Sequence, residues 1–508
     1  MKLRYRLPAL LCALLLLLGC CSAFAQEAPA AAETDVDYTI RNPYDGVDFD
    51  NWKQYKTDLH SHTTFSDGHN TLPEMVERHY ALGFDMVAIT DHGTTSYGFT
   101  QQKHTTVMKL FSLVRNGFIT DEVLSESGAA ANGAAYTVTQ ENGDEFYQQA
   151  GGHTMMRVPF GVENNPTSYN NAHVCSWFVD YGHDVNGGTS NYERPIKAVD
   201  KLGGLSVINH PGEYTNARDE VYTADAYDES NLAYRYKINK FAGLLQKYPT
   251  CIGIDVNSKG DHRTRFDRKL WDLLLQKLAP HGRAVYAICS TDAHNLDIVN
   301  SGYVMAQLPE QSAAALQAGL GSGQFFGCSN YCGNVDELTA YRDEIAAING
   351  VEANAFAQTL TETVTAIEAE IADGEQHTIW KAAADAAPVR VNRVAVDEDA
   401  DTITVTAENA LTVHWIADGK VICVGKTIDL DEHSGEIGSY VRCEAFGPGG
   451  VVYVQPFLLS YDGAPAAEPI ESVDLGGIVS PIADAPVYFL ILLLSLPLKY
   501  LLFPLIQK

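Results

Sequence analysis

Asp58-Leu59-His60-Ser61-His62-Thr63-Thr64-Phe65-Ser66-Asp67-Gly68 is the stretch on which the fold of this chain turns. The run at 55–60 predicts a strand, and the pattern at 72–82 predicts a helix. Residues two apart on a strand face the same way. His60 and His62 therefore point into one pocket and offer two neutral imidazoles to one ion. Asp67 follows a short loop, and Gly68 allows a tight turn before the helix.

Working outward, three more patches repeat the chemistry. They are Thr90-Asp91-His92-Gly93, Val207-Ile208-Asn209-His210-Pro211 and Ser290-Thr291-Asp292-Ala293-His294, with Glu163 and His173 between the second patch and the third. Strands are predicted at 85–90, 158–163, 173–179, 205–209, 251–256 and 284–290, and helices at 195–202, 232–247 and 264–278. Such alternation predicts an α/β fold with a parallel sheet, and at this length a barrel. The patches fall at the C-terminal ends of strands, where an α/β barrel carries its chemistry. A lone buried His is more often a packing residue. Several His and carboxylates at successive strand ends point instead to a metal site. His79, His104 and the other remaining histidines read as packing or surface residues.

Together the patches resemble the four motifs of the PHP (polymerase and histidinol phosphatase) family, and within it the phosphoesterase branch. The resemblance covers about 55–328. It implies a distorted (β/α)7 barrel with up to three metal ions. The first ion would be held by His60, His62, Glu163 and Asp292. A second would share Glu163 and add His173 and His210. A third would use Asp67, His92 and His294. Asp255 departs from the pattern, since relatives usually carry Glu there. His and carboxylate ligands suit two or three divalent ions of Zn, Mn or Fe. Ions so placed clamp a phosphate and activate water, so no nucleophilic Ser or Cys is needed. Asp91 is expected to orient an imidazole. Arg218, with Arg235, Lys259 and Arg263, lies beyond barrel strands and is a candidate to grip a substrate phosphate; the bland reading of each is a solvated charge.

Composition narrows the partners. Against 35 Lys and Arg stand 64 Asp and Glu, a formal net charge of −29, which argues against long nucleic acid because that needs a basic footprint. Outside the first 26 residues the cysteines are odd in number and sparse, so no disulfide scaffold is expected. Cys175, Cys251 and Cys289 read as buried thiols. Cys423 with Cys443, and Cys328 with Cys332, are the pairs able to bridge.

The chain divides into a signal peptide at 1–25, a linker at 26–50, the barrel at 51–330 and a helical connector at 331–386. A small immunoglobulin-like β-sandwich at 387–462, a linker at 463–486 and a membrane segment at 487–506 follow. Ala23-Phe24-Ala25 suits signal cleavage, while Leu17-Leu18-Gly19-Cys20 resembles a lipobox. The apolar run at 487–506 is long enough to span a bilayer, with Lys499 at the far interface; an interfacial hairpin and a buried helix are the alternatives. Long polar stretches at 94–157 and 211–230 read as insertions at the mouth of the site.

The resulting expectation is an exported, membrane-tethered, metal-dependent hydrolase of phosphoester bonds. Its substrates would be small phosphomonoesters or nucleotide-like molecules. A phosphodiesterase or nuclease acting on short nucleic-acid ends, and a non-catalytic surface protein with structural metals, are the competing readings.

Overall fold

The computed structural model describes residues 36–164, 172–185, 191–214, 227–257, 266–348, 350–373, 379–383, 385–471 and 493. Residues 53–329 supply ten strands that position the site. They are β1 (Lys53–Asp58), β2 (Met86–Val87), β3 (Thr154–Arg157), β4 (Val162–Asn164), β5 (Val174–Trp177), β6 (Leu205–Ile208), β7 (Cys251–Asp255), β8 (Tyr286–Ile288), β9 (Gly302–Leu308) and β10 (Phe325–Ser329). They form two sheets, one in the order β10-β9-β1-β2-β3 and one in the order β8-β7-β6-β5-β4.

The expected all-parallel arrangement holds only in part. β1 pairs in parallel with β2, β2 with β3, β6 with β7 and β7 with β8. β4–β5, β5–β6, β1–β9 and β9–β10 are antiparallel. The fold is mixed α/β. Two isolated parallel bridges join the sheets at their C-terminal rim, Ser61 to Ala293 and His92 to Glu163. The sheets meet where the metal-ligating residue types cluster.

Each helix buries one face. In α1 (Leu72–Ala81), Leu72, Met75, Val76, His79 and Tyr80 are buried, the 3–4 spacing of an amphipathic helix. Its start is fixed by a capping box: Thr71 accepts from Glu74 N at 3.4 Å, and Glu74 accepts from Thr71 N at 2.8 Å. The helices α3 (Glu193–Leu202), α4 (Leu232–Lys247) and α5 (Asp267–Leu278) follow the same logic, and α4 has the bounds its sequence predicts. The insertion at 94–157 is not a plain loop. It holds α2 (Thr106–Asn116) and three strands, Ser127–Ala129, Ala135–Glu141 and Asp144–Gln149, that extend the first sheet beyond β3.

The connector at 331–386 is helical over α7 (Val335–Ile348) and α8 (Val351–Ala372), preceded by α6 (Ala313–Ser322). It also contains the strands Tyr331–Asn334 and Ile379–Lys381, which pair with each other. The eight strands beyond it are β11 (Arg390–Asp397), β12 (Thr402–Glu408), β13 (Thr412–Ala417), β14 (Lys420–Val424), β15 (Thr427–Asp429), β16 (Tyr440–Gly447), β17 (Gly450–Val454) and β18 (Phe457–Ser460). β11, β12 and β15 form a separate sheet, whose Val391, Ile403 and Ile428 share a core with Trp415, Val441 and Val452.

This C-terminal part does not stand apart from the first. β17 pairs with β10 from Phe326–Val454 to Ser329–Val451, so one sheet crosses the expected boundary at 386. Gln455 donates to Ala287 O at 3.0 Å and accepts from Ala287 N at 2.9 Å, meeting the backbone of edge strand β8. The Cys423–Cys443 bridge is excluded by register: both residues flank Trp415, on strands either side of β13. Cys328 and Cys332 are also free thiols.

Both the signal peptide and the apolar run at 487–506 lie outside the described residues, apart from Leu493. Among the described residues no helix is long and apolar enough to cross a membrane.

Candidate metal centre

Strand ends bring all nine expected ligands together. His60 and His62 lie just past β1, Glu163 is on β4, and His173 precedes β5. His210 follows β6, while Asp292 and His294 follow β8. Asp67 hangs on the loop before α1, and His92 lies beyond β2. Their donor atoms form three groups, each within 4.8 Å: His62, Asp67, His92 and His294; His60, Glu163, His210 and Asp292; His92, Glu163 and His173. This partition differs from the three sets that the family resemblance implies, because His62, His92 and Glu163 lie between neighbouring groups.

One quartet has the dimensions of a coordination shell. His60 Nε2 lies 3.1 Å from His62 Nε2, and 3.2 Å from both Glu163 Oε2 and Asp292 Oδ1. His62 Nε2 lies 3.2 Å from Glu163 Oε2 and 3.1 Å from Asp292 Oδ1. Four donors bound tetrahedrally at about 2.0 Å would stand about 3.3 Å apart. These five edges fit a small cation at the centre, in the combination of residues expected for the first ion.

The flanking groups are less regular, with separations from 2.6 to 3.8 Å. His173 Nδ1 is 2.6 Å from Glu163 Oε1, and His210 Nε2 is 3.4 Å from the same oxygen. On the other side, Asp67 Oδ1 is 3.3 Å from His294 Nε2 and 3.6 Å from His62 Nδ1. Asp67 Oδ2 is 3.8 Å from His92 Nε2. The His62 and His294 rings stack with centroids 4.3 Å apart.

Electrostatics support the same reading. Burial would make Glu163 a weaker acid, yet His92, His173 and His60 hold it well below the usual carboxylate range. Burial likewise opposes ionisation of Asp67, and His92 and His294 hold its carboxyl well below that range. Burial disfavours charge on His62, but hydrogen bonds to Asp292 and Glu163 raise it to about 10. His60 is also raised, against burial, by Cys175, Asp292 and Glu163. His92 goes the other way: burial lowers it to about 4, despite Glu163 and Asp67. Ionised carboxylates with buried imidazoles around them are a donor set for divalent metal, and they fit Zn, Mn or Fe.

Asp91 differs from expectation. Its Oδ1 accepts from Thr63 N at 2.7 Å and Ser66 Oγ at 2.6 Å, and its Oδ2 accepts from Thr63 Oγ1 at 2.7 Å. It fixes the loop that carries Asp67, where an orienting contact to an imidazole was expected. Asp255 comes nearer that role, with Oδ2 3.8 Å from His60 Nδ1. Arg218, Lys259 and Arg263 lie outside the described residues, and Arg235 is on α4. His104, read from the sequence as a packing or surface residue, does pack: its ring lies 4.4 Å from Phe65 and its Nε2 donates to Thr64 O at 2.8 Å.

Residues 58–235 match the PHP domain family model. Among solved structures, the chain is similar to a two-domain protein from Bacteroides vulgatus containing a predicted PHP-like metal-dependent phosphoesterase, at 12% identity and TM-score 0.34, over 85% of this chain and 96% of that one. PsfC from Pseudomonas syringae is similar at 13% identity and TM-score 0.27, over 52% of this chain and 88% of that one. The lesion-specific endonuclease PfuEndoQ from Pyrococcus furiosus is similar at 11% identity and TM-score 0.27, over 54% and 57%. No curated protein matches the chain. The matched residues carry seven of the nine clustered side chains, Asp292 and His294 lying beyond them, and this His, Asp and Glu cluster suits divalent metal ions.

Proposed function

We propose that this protein is a metal-dependent phosphoesterase acting on small phosphate esters or nucleotide-like molecules, and that the two sheets built from residues 53–329 are the halves of a distorted barrel. The observation that carries the reading is the quartet of His60, His62, Glu163 and Asp292, with edges of 3.1–3.2 Å. The PHP domain supports it. Divalent ions in such a site supply positive charge to a phosphoryl group and acidify water.

The chain's own residues set the conditions for that chemistry. His60, His62, Glu163 and Asp292 would hold one ion at the centre. Glu163 also reaches His173 and His210 through Oε1, so one carboxylate serves two neighbouring groups. Asp67, His92 and His294 make the third group, on the side where Asp91 steadies the loop. The quartet side chains are at most 1% exposed, so water is largely excluded and charge interactions are strong. Asp67 and His294, at 18% and 21%, mark the open side where a substrate would enter.

Export and tethering belong to the same proposal and rest on the sequence at 1–25 and 487–506. The exported chain would be periplasmic or extracellular, and protease accessibility on intact cells and on cells with a permeabilised outer envelope tests this: a chain protected in both would exclude export. Catalysis is tested with the full chain stripped by chelator and reloaded with Zn or Mn, against mononucleotides, bisphosphates, sugar phosphates and short oligonucleotides. Metal-dependent hydrolysis that His62→Ala abolishes is expected. No hydrolysis of any substrate with either metal would overturn the reading.

A further inference from the structure

Behind the cluster, on the side facing α1, lies a buried chain of polar groups that none of the expected ligands explains. Asp58 and His79 are each fully buried. His79 Nε2 lies 2.8 Å from Asp58 Oδ2, and His79 Nδ1 lies 2.8 Å from Met75 O. The two ring nitrogens thus tie the Asp58 carboxyl to the backbone of α1. Asp58 collects three further donors: Thr291 Oγ1 at 2.6 Å, Thr291 N at 3.2 Å and His60 N at 3.1 Å. Thr291 Oγ1 also lies 2.8 Å from His60 O.

This places one carboxylate across the two segments that carry the quartet. Its contacts reach the peptide of His60 on one strand end and Thr291, next to Asp292, on the other. Thr291 and His60 are 231 residues apart along the chain, so the spacing of those segments depends on such contacts. Among the described contacts of Asp58, His79 is the one imidazole, and it is anchored on α1 by the carbonyl of Met75.

We infer that His79 is a positioning residue for the metal centre: acting through Asp58, it fixes the separation of His60 and Asp292. The inference rests on the metal-centre reading above. It extends that reading to a helix bearing no expected ligand. Partners one step removed from a metal, when lost, cost about 10–100-fold in affinity.

The test uses the full chain, stripped of metal, titrated with Co2+ alone. Its readouts are affinity and the ligand-field absorption spectrum, alongside circular dichroism and thermal unfolding of the metal-free protein. His79→Leu is expected to bind Co2+ about 10–100-fold more weakly with an altered spectrum, and His79→Gln, which keeps a donor toward Asp58, to recover part of the affinity. Thr291→Val, which removes only the hydroxyl, keeps the test decisive where His79→Leu does not fold; it should weaken binding in the same direction. Wild-type affinity and spectrum in His79→Gln and Thr291→Val, with unfolding alone affected, would overturn the inference while leaving the metal centre standing. Failure of the unaltered chain to bind Co2+ would overturn both.

Discussion

At the scale of single residues, the metal centre is a competition between protons and a cation. In the metal-free chain His62 is raised to about 10 by Asp292 and Glu163, against burial. It therefore carries a proton at pH 7, and a metal needs the lone pair that the proton occupies. Metal uptake should release protons at pH 7, and affinity should fall as pH falls. Calorimetry of Zn uptake in buffers of different ionisation enthalpy measures this, and uptake with no proton release would contradict it. Asp91 makes a second residue-scale prediction. Asp91→Ala removes three hydrogen bonds from the Asp67 loop, so activity should fall by about 10–100-fold, with metal lost from the group containing Asp67. Metal content and kcat check it together. The clustering of these nine side chains was readable because His-x-His and Asp-x-His on strand ends leave few alternatives. The role of Asp91 was not, because its partners are hydroxyls and a peptide N–H that local sequence does not bring forward.

At the scale of elements, boundaries followed the strength of the local pattern. Helix α4 was readable to the residue because Asn231 caps it, accepting from Ala233 N at 2.9 Å, and the apolar spacing is regular. The strands Ala135–Glu141 and Asp144–Gln149 were passed over in a polar stretch. Their signal was Asn142-Gly143, both with positive φ, a two-residue turn favoured in hairpins. Direction was harder than existence: β5 runs antiparallel to β6 although both look like buried parallel strands. Glycine sets one close approach. A Cβ at Gly253 would lie 1.9 Å from Tyr286 O, between paired strands β7 and β8. Gly253→Ala should therefore destabilise the fold by about 3 kcal/mol or more, read by urea unfolding. An unchanged midpoint would show that the two strands part without cost.

At the scale of the molecule, the part that carries the site (53–329) and the C-terminal strands (390–460) are joined in their interior. Arg442 on β16 meets Asp272 on α5 through Nε at 2.7 Å and Nη2 at 2.6 Å, and Tyr440 OH donates to Asp272 at 2.9 Å. Both partners are buried. Replacing Arg442 by Met leaves an uncompensated carboxylate, and about 3–5 kcal/mol of stability should be lost. Thermal unfolding should show one transition displaced downward; an unshifted transition would contradict the coupling. Sequence periodicity identified strands at 389–461 but not their joining to β10, because pairing between distant strands leaves no local mark. The central claim is that strand ends from residues 60–294 hold divalent metal between them. Elemental analysis of the purified full chain, set beside His62→Ala, tests it most directly. Two or three divalent ions per chain are expected, with fewer in the variant. A chain that holds none after incubation with Zn and Mn would contradict it.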